Sequence, residues 1–196
     1  MKYNLSIEKD DINLLPLMDW SGQIIEIETP EGALRALDLL SREKMVGFDT
    51  ETRPSYTKGV IYTPALIQLA TNDHAFIFRL KFFDIPKALT DFLSDPNILK
   101  IGVGIPDDLH GLKMIMNFKP DGFVDLSKEV RKRGFQNEGL RALTAIFLGK
   151  RLTKGAKHTN WEMIELPNAA LKYAALDAVV GLLIYEKILE ADSSGP

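Results

Sequence analysis

The segment Met45-Val46-Gly47-Phe48-Asp49-Thr50-Glu51 predicts a buried β-strand that ends in two carboxylates. Residues two apart on a strand face the same side, so Asp49 and Glu51 should project together with Gly47. Acids at the carboxyl end of a strand suit an α/β protein, because ligand sites usually lie at that edge of the sheet. The alternative is that the two acids begin a solvated loop and hold no ligand.

The rest of the chain predicts a mixed-sheet α/β domain. Short apolar runs predict further strands at residues 23–29, 65–70, 75–78, 99–103 and 122–125, and the polar stretch 71–74 predicts a hairpin turn. Helices are predicted at residues 30–43, with Thr29 as N-cap, and at 85–93, 106–116, 126–133, 138–147 and 167–189. We divide the chain into an N-terminal arm (1–21), one folded domain (22–190) and a polar tail (191–196).

Composition excludes several classes of protein. With 196 residues the chain suits one domain, and the absence of cysteine excludes disulfides, thiolate zinc sites and cysteine nucleophiles. No signal-like segment or span-length apolar run is present, which predicts a soluble, cytoplasmic protein without a membrane partner. The net charge of −3 argues against tight nonspecific binding to nucleic acid, although acidic metal ligands count as negative only until metal binds. Nothing in the sequence indicates a protein partner.

A third acidic position follows the apolar segment Lys100-Ile101-Gly102-Val103-Gly104-Ile105. Asp107 and Asp108 both stand there, and spacing does not decide between them. Either can instead be part of an acidic first helical turn, where negative charge favours the helix dipole.

A fourth acid, Asp177, lies within the apolar stretch of residues 173–180. Its helical neighbours three and four residues away are not cationic, so its charge needs a partner from elsewhere in the fold. Tyr173, one turn earlier on the same face, can place its hydroxyl beside whatever Asp177 binds, or can simply pack.

Converging carboxylates repel one another unless divalent metal neutralises them. Hard cations such as Mg²⁺ and Mn²⁺ prefer oxygen ligands. The four acidic positions together therefore predict metal-assisted phosphodiester chemistry.

These segments resemble the DEDD 3′–5′ exonucleases, in the tyrosine-bearing branch that includes ribonuclease D and Werner-type exonuclease domains. The resemblance is carried by Phe48-Asp49-Thr50-Glu51, by Val103-Gly104-Ile105 with Asp108, and by Tyr173-Ala174-Ala175-Leu176-Asp177-Ala178. Residues 139–150 and Trp161 are similar to the segment that leads into the family's last helix. The resemblance covers residues 22–190 and selects Asp108 over Asp107. Lys172 stands where the other branch carries histidine, which favours the tyrosine branch.

The resemblance implies an RNase H-like fold, with a five-stranded mixed sheet flanked by helices and room for an extra N-terminal strand. It also implies a metal-dependent hydrolase that releases nucleoside monophosphates from the free 3′ end of DNA or RNA with two Mg²⁺ or Mn²⁺ ions. Asp49, Glu51 and Asp177 would bind the first ion. Asp49 would bridge to a second ion, which Asp108 would hold directly or through water. Tyr173 would help to orient the attacking water.

Cationic and aromatic residues in two loops are candidates for binding nucleic acid. The predicted phosphate contacts are Arg53, Lys58, Lys150, Arg151, Lys154 and Lys157. Trp161 is a candidate to stack on a terminal base, a contact that tolerates any sequence, and its alternative is simple packing in the fold. The alternative is that these loops are only solvated surface.

Two rival functions remain at this point. One is an RNase H-like module that binds nucleic acid or protein without cleaving, and the presence of all four acids with Tyr173 favours the enzyme over it. The other is a metal phosphoesterase acting on small nucleotides, which shares the chemistry but would be indifferent to polymer length.

Overall fold

A six-stranded mixed sheet forms the centre of the protein in the computed structural model, which describes residues 3–153, 155 and 159–193. The strands are β1 (Gln23–Ile27), β2 (Met45–Thr52), β3 (Pro64–Ala70), β4 (His74–Arg79), β5 (Leu99–Gly102) and β6 (Phe123–Asp125). Their spatial order is β1-β4-β3-β2-β5-β6. Strand β3 is antiparallel to β2 and β4, and the other pairs are parallel. The predicted mixed sheet with an additional N-terminal strand is confirmed.

Helices cover both faces of the sheet. They are α1 (Lys9–Leu14), α2 (Pro30–Leu40), α3 (Lys87–Ser94), α4 (Ile105–Lys113), α5 (Leu126–Lys132), α6 (Leu140–Leu148) and α7 (Asn168–Ser193). Apolar residues of α2, α3 and α4 pack with Phe48, Ile67 and Leu69 on one face. The opposite face, with Leu66, Ala70 and Ile101, packs against α5, α6 and α7. None of the described helices has the length and apolar character of a bilayer span.

The predicted helix cap and the predicted hairpin turn are both present in the structure. The Thr29 hydroxyl accepts a hydrogen bond from the Gly32 amide at 3.1 Å, and Pro30 is the first residue of α2. The Thr71 amide donates to the His74 carbonyl at 2.8 Å, which closes the hairpin between β3 and β4.

Several element bounds differ from the predictions; α2, for example, ends at Leu40 rather than at residue 43. Helix α1 was not predicted, and it lies in the predicted arm. Ile12 is its single buried residue, so its sequence carries no periodic pattern of apolar residues. Helix α4 spans Ile105–Lys113 rather than 106–116, and α7 continues to Ser193, into the predicted tail. The division between arm and domain stays a prediction.

Candidate active site

The acidic end of β2 faces α7 at short range. Every second residue of β2 faces α7, and these residues include Gly47, Asp49 and Glu51. A Cβ atom added to Gly47 would lie 2.0 Å from the carbonyl oxygen of Ala178, so only glycine permits this approach of strand and helix. The close approach places Asp177, the neighbour of Ala178, opposite the acids of β2.

Three carboxylates meet where the strand and the helix face each other. Carboxylate oxygens of Asp49, Glu51 and Asp177 lie within 4.8 Å of one another. All three side chains are partly buried. A group of oxygen donors at this spacing fits Mg²⁺ or Mn²⁺, which are coordinated by carboxylates and water.

The same three acids are electrostatically uncompensated within the described protein. Burial, followed by the charge of Asp177, raises the pKa of Asp49 well above its usual value and the pKa of Glu51 to about 8. Burial raises the pKa of Asp177 to about 7. No cationic side chain among the described residues is a cause of any of these shifts. A divalent cation would supply the missing positive charge.

Asp108 approaches the cluster from α4. Strands β2 and β5 are parallel, so their carboxyl ends share one sheet edge, and α4 begins there after Gly104, whose φ of +77° gives a left-handed turn. The Thr50 hydroxyl donates a hydrogen bond to Asp108 at 2.5 Å. Burial raises the pKa of Asp108 to about 6.

Asp108 therefore stands beside the three-acid group rather than within it. Its charge raises the pKa values of Asp49 and Glu51, although its oxygens are not among those within 4.8 Å. Asp107, the residue that spacing alone could not separate from it, is exposed to solvent.

Tyr173 lies one turn before Asp177 on α7, and its hydroxyl is close enough to the Asp177 carboxylate to lower the pKa of that acid. Burial, followed by the charge of Asp177, raises the pKa of Tyr173 above its ordinary value. The phenol therefore stays protonated at neutral pH and can act as a donor.

Trp161 does not have the predicted role. The side chain is 1% exposed, so its ring has no free face on which a base could stack. The ring instead stacks on Tyr173, with ring centroids 6.3 Å apart. The indole N–H approaches Glu51 closely enough to lower its pKa, without a hydrogen bond of ordinary geometry. The prediction failed because sequence shows the aromatic residue but not the helix that covers it.

The predicted phosphate-binding residues fall into three groups. Arg53 lies 3.5 Å from Glu162 and over the Tyr62 ring, and Arg151 donates to the Leu15 carbonyl at 2.8 Å, which ties it to the N-terminal arm. Lys58 is exposed and Lys150 is partly exposed. Lys154 and Lys157 lie outside the described residues.

Two polar neighbours of the acids were not predicted. One is Thr50, the hydrogen-bond donor to Asp108. The other is Gln68, which pairs with Asp49 across the sheet. Its signal in the sequence was an amide in the otherwise apolar run of residues 64–70.

A mixed α/β sheet with carboxylates gathered at the ends of its central strands defines a candidate metal-dependent nuclease domain. A model of the 3′–5′ exonuclease family matches residues 24–191. The chain belongs to this family, within the DEDD superfamily, which confirms the family and the class of enzyme that the motifs predicted.

Individual proteins are similar to this chain in sequence or in fold. The chain is 30% identical to the bifunctional 3′–5′ exonuclease/ATP-dependent helicase WRN of Mus musculus, over 89% of this chain and 13% of the mouse protein. Its fold is similar to the Nibbler EXO domain of Aedes aegypti, with a TM-score of 0.80, 23% identity, and 89% and 91% of the two chains covered. It is also similar to Escherichia coli RNase D, with a TM-score of 0.77, 22% identity, and 91% and 46% covered. The chain thus spans a small part of the mouse protein and about half of RNase D.

Proposed function

We propose that this chain is a metal-dependent 3′–5′ exonuclease that releases nucleoside monophosphates from DNA or RNA by two-metal-ion hydrolysis. The observation that carries the proposal is the meeting of Asp49, Glu51 and Asp177 without a compensating cation. Membership of the 3′–5′ exonuclease family supports it, as do the names of the WRN and RNase D proteins to which the chain is similar.

The four acids have separate roles in this proposal. Asp49, Glu51 and Asp177 would hold one Mg²⁺ or Mn²⁺, and Asp49 and Asp108 would hold a second. When bound, the two ions activate the attacking water and stabilise the charge that develops on the leaving 3′ oxygen. The hydrogen bond from Thr50 fixes the Asp108 carboxylate toward this edge.

Tyr173 would orient the attacking water beside Asp177. Its hydroxyl lies close enough to that carboxylate to lower its pKa, and its ring stacks on the buried Trp161. A neutral phenol donates a hydrogen bond without adding charge to the metal site. This arrangement supports assignment to the tyrosine-bearing branch of the superfamily.

The substrate would be a nucleic acid strand with a free 3′ end. Lys58 and Lys150 expose cationic side chains to solvent, and Arg53 is partly exposed beside its ion-pair partner Glu162. Preference for DNA or RNA would depend on a contact to the 2′-hydroxyl. Phosphate contacts by Lys154 and Lys157, and a cytoplasmic location, remain part of the proposal.

The test is a time course on 5′-labelled single-stranded and 3′-recessed DNA and RNA, with Mg²⁺, Mn²⁺ or EDTA. We expect a metal-dependent ladder that shortens from the 3′ end and disappears in Asp49→Ala. Asp107→Ala is the matched control, because it removes a nearby exposed acid outside the cluster, and it should cleave at the wild-type rate. Cleavage by Asp49→Ala at the wild-type rate would contradict the site. Binding of nucleic acid with no cleavage under any metal would favour the non-cleaving module.

A further inference from the structure

Gln68 is a buried amide with unmet hydrogen-bonding capacity. It is 0% exposed, and neither its Oε1 nor its Nε2 has a hydrogen-bond partner among the described residues. Buried polar groups in native proteins almost always have partners, so this exception needs a physical reason. It is also the single polar residue of β3, where apolar side chains would pack without this cost.

The position of Gln68 points to the acid cluster. Its direct partner on β2 is Asp49, and side chains of directly paired residues lie on the same face with Cβ atoms about 4.5–5.5 Å apart. That face is the one covered by α7, because Leu66 and Ala70, two residues to either side, pack with Ala174 and Ala178. The amide therefore lies in the layer between sheet and helix that also holds Asp49.

We propose that Gln68 is a positioning residue of the metal site, whose amide N–H donates to the Asp49 carboxylate when a cation is bound there. A carboxylate accepts several hydrogen bonds, so binding a metal leaves lone pairs that need donors. Such outer partners orient metal ligands and sustain their affinity. A neutral amide does so without adding a positive charge that would compete with the cation. The inference rests on the proposed function for the presence of a divalent cation.

Replacement of the amide by a thioether of similar length tests this role. Metal-free Gln68→Met and wild type are titrated with Mn²⁺ by calorimetry, and we expect Gln68→Met to bind about 10- to 100-fold more weakly. Leu69→Met is the matched control, because Leu69 is equally buried and faces the other side of the sheet, and it should keep wild-type affinity. In EDTA, Gln68→Met should melt no lower than Leu69→Met. Wild-type Mn²⁺ affinity in folded Gln68→Met would overturn the proposal.

A measurement on the wild-type chain keeps the proposal testable if Gln68→Met does not fold. The assigned side-chain ¹⁵N–¹H₂ resonances of Gln68 are followed during a Mg²⁺ titration. They should shift and saturate, whereas those of Gln23, which is exposed on β1, should not. Unchanged Gln68 resonances at saturating Mg²⁺ would show that the amide does not contact the site.

Cleavage assays on the same proteins separate this inference from the proposed function. A wild type whose Mn²⁺ affinity depends on Gln68, and which cleaves nothing, would refute the exonuclease and retain the positioning role. A wild type that cleaves, with Mn²⁺ affinity indifferent to Gln68, would do the reverse.

Discussion

Two clusters of buried charge lie on the same sheet and are built in opposite ways. At the end of β4, Arg79 is 1% exposed and donates to Glu28 at 2.7 Å and to the Ile164 carbonyl at 2.8 Å. It also bonds to the Met163 carbonyl and stands 4.1 Å from the centre of the Phe82 ring. At the end of β2, the acid cluster has no cation among the described residues.

The difference separates a structural charge from a functional one. The Arg79 guanidinium is neutralised by the protein itself, and it joins β4 to β1, to the link between β1 and α2, and to the segment that leads into α7. The acids at β2 retain their mutual repulsion in the metal-free protein, and that repulsion is the driving force for binding a cation. Perturbing the acid cluster should therefore affect metal binding and cleavage, whereas perturbing the Arg79 cluster should affect stability.

The largest effect should follow from Asp177→Asn, which keeps the shape of the side chain and removes its charge. Loss of a direct metal ligand should slow metal-dependent cleavage by more than the roughly 100-fold that loss of an outer partner can cost. The metal-free protein should unfold at the same or a higher denaturant concentration, because Asp177 is the leading charge that raises the pKa values of Asp49 and Glu51. Cleavage rates and urea unfolding in EDTA measure the two effects. An active variant, or one destabilised in EDTA, would contradict the contrast.

Arg79→Met should have the opposite profile. It leaves two carbonyls without their donor and two glutamates without their cation, and we expect a loss of about 1–3 kcal/mol in the free energy of unfolding. The glutamates are partly exposed, so they can turn toward solvent and limit the loss. Calorimetric Mn²⁺ affinity should stay at the wild-type value. The exposed pair of Arg42 and Asp38 offers the control, because Arg42→Met removes a similar contact at the surface and should cost under about 1 kcal/mol.

The sequence was sufficient where one short segment carries the whole signal. The strand at 45–51 needs only alternation and its acidic end, and the start of α2 needs only Thr29 and Pro30. The direction in which Asp49 and Glu51 project follows from the period of a strand. The resemblance to the family then selected Asp108 over Asp107.

The sequence alone was insufficient where the role of a residue depends on elements that are distant along the chain. Trp161 looked like a stacking surface because nothing local shows that Tyr173 covers it. Arg151 looked like a phosphate contact because its acceptor, the Leu15 carbonyl, belongs to the arm. Arg79 ends an ordinary strand pattern, and its two glutamates stand more than 50 positions away.

The smallest effect concerns pH, and it tests the acid cluster without substitution. Burial and the charges of Asp177 and Asp108 raise the pKa of Glu51 to about 8, and burial raises that of Asp177 to about 7, against about 4 for both in an unfolded chain. At pH values between the unfolded and the folded pKa values, the folded state holds more protons than the unfolded state. The free energy of unfolding of the metal-free protein should therefore fall as pH rises from about 5 to about 8.

Partial exposure and coupling among the acids reduce this loss, which we expect to be about 1–2 kcal/mol, a fall of a few degrees in melting temperature. Saturating Mg²⁺ should flatten the profile, because the cation stabilises the ionised carboxylates that high pH produces. Melting curves at pH 5, 6, 7 and 8, with EDTA and with Mg²⁺, measure both profiles. Metal-free stability that rises over this range would mean that the acids are already compensated within the protein, as Arg79 is, and the distinction between the two clusters would fail.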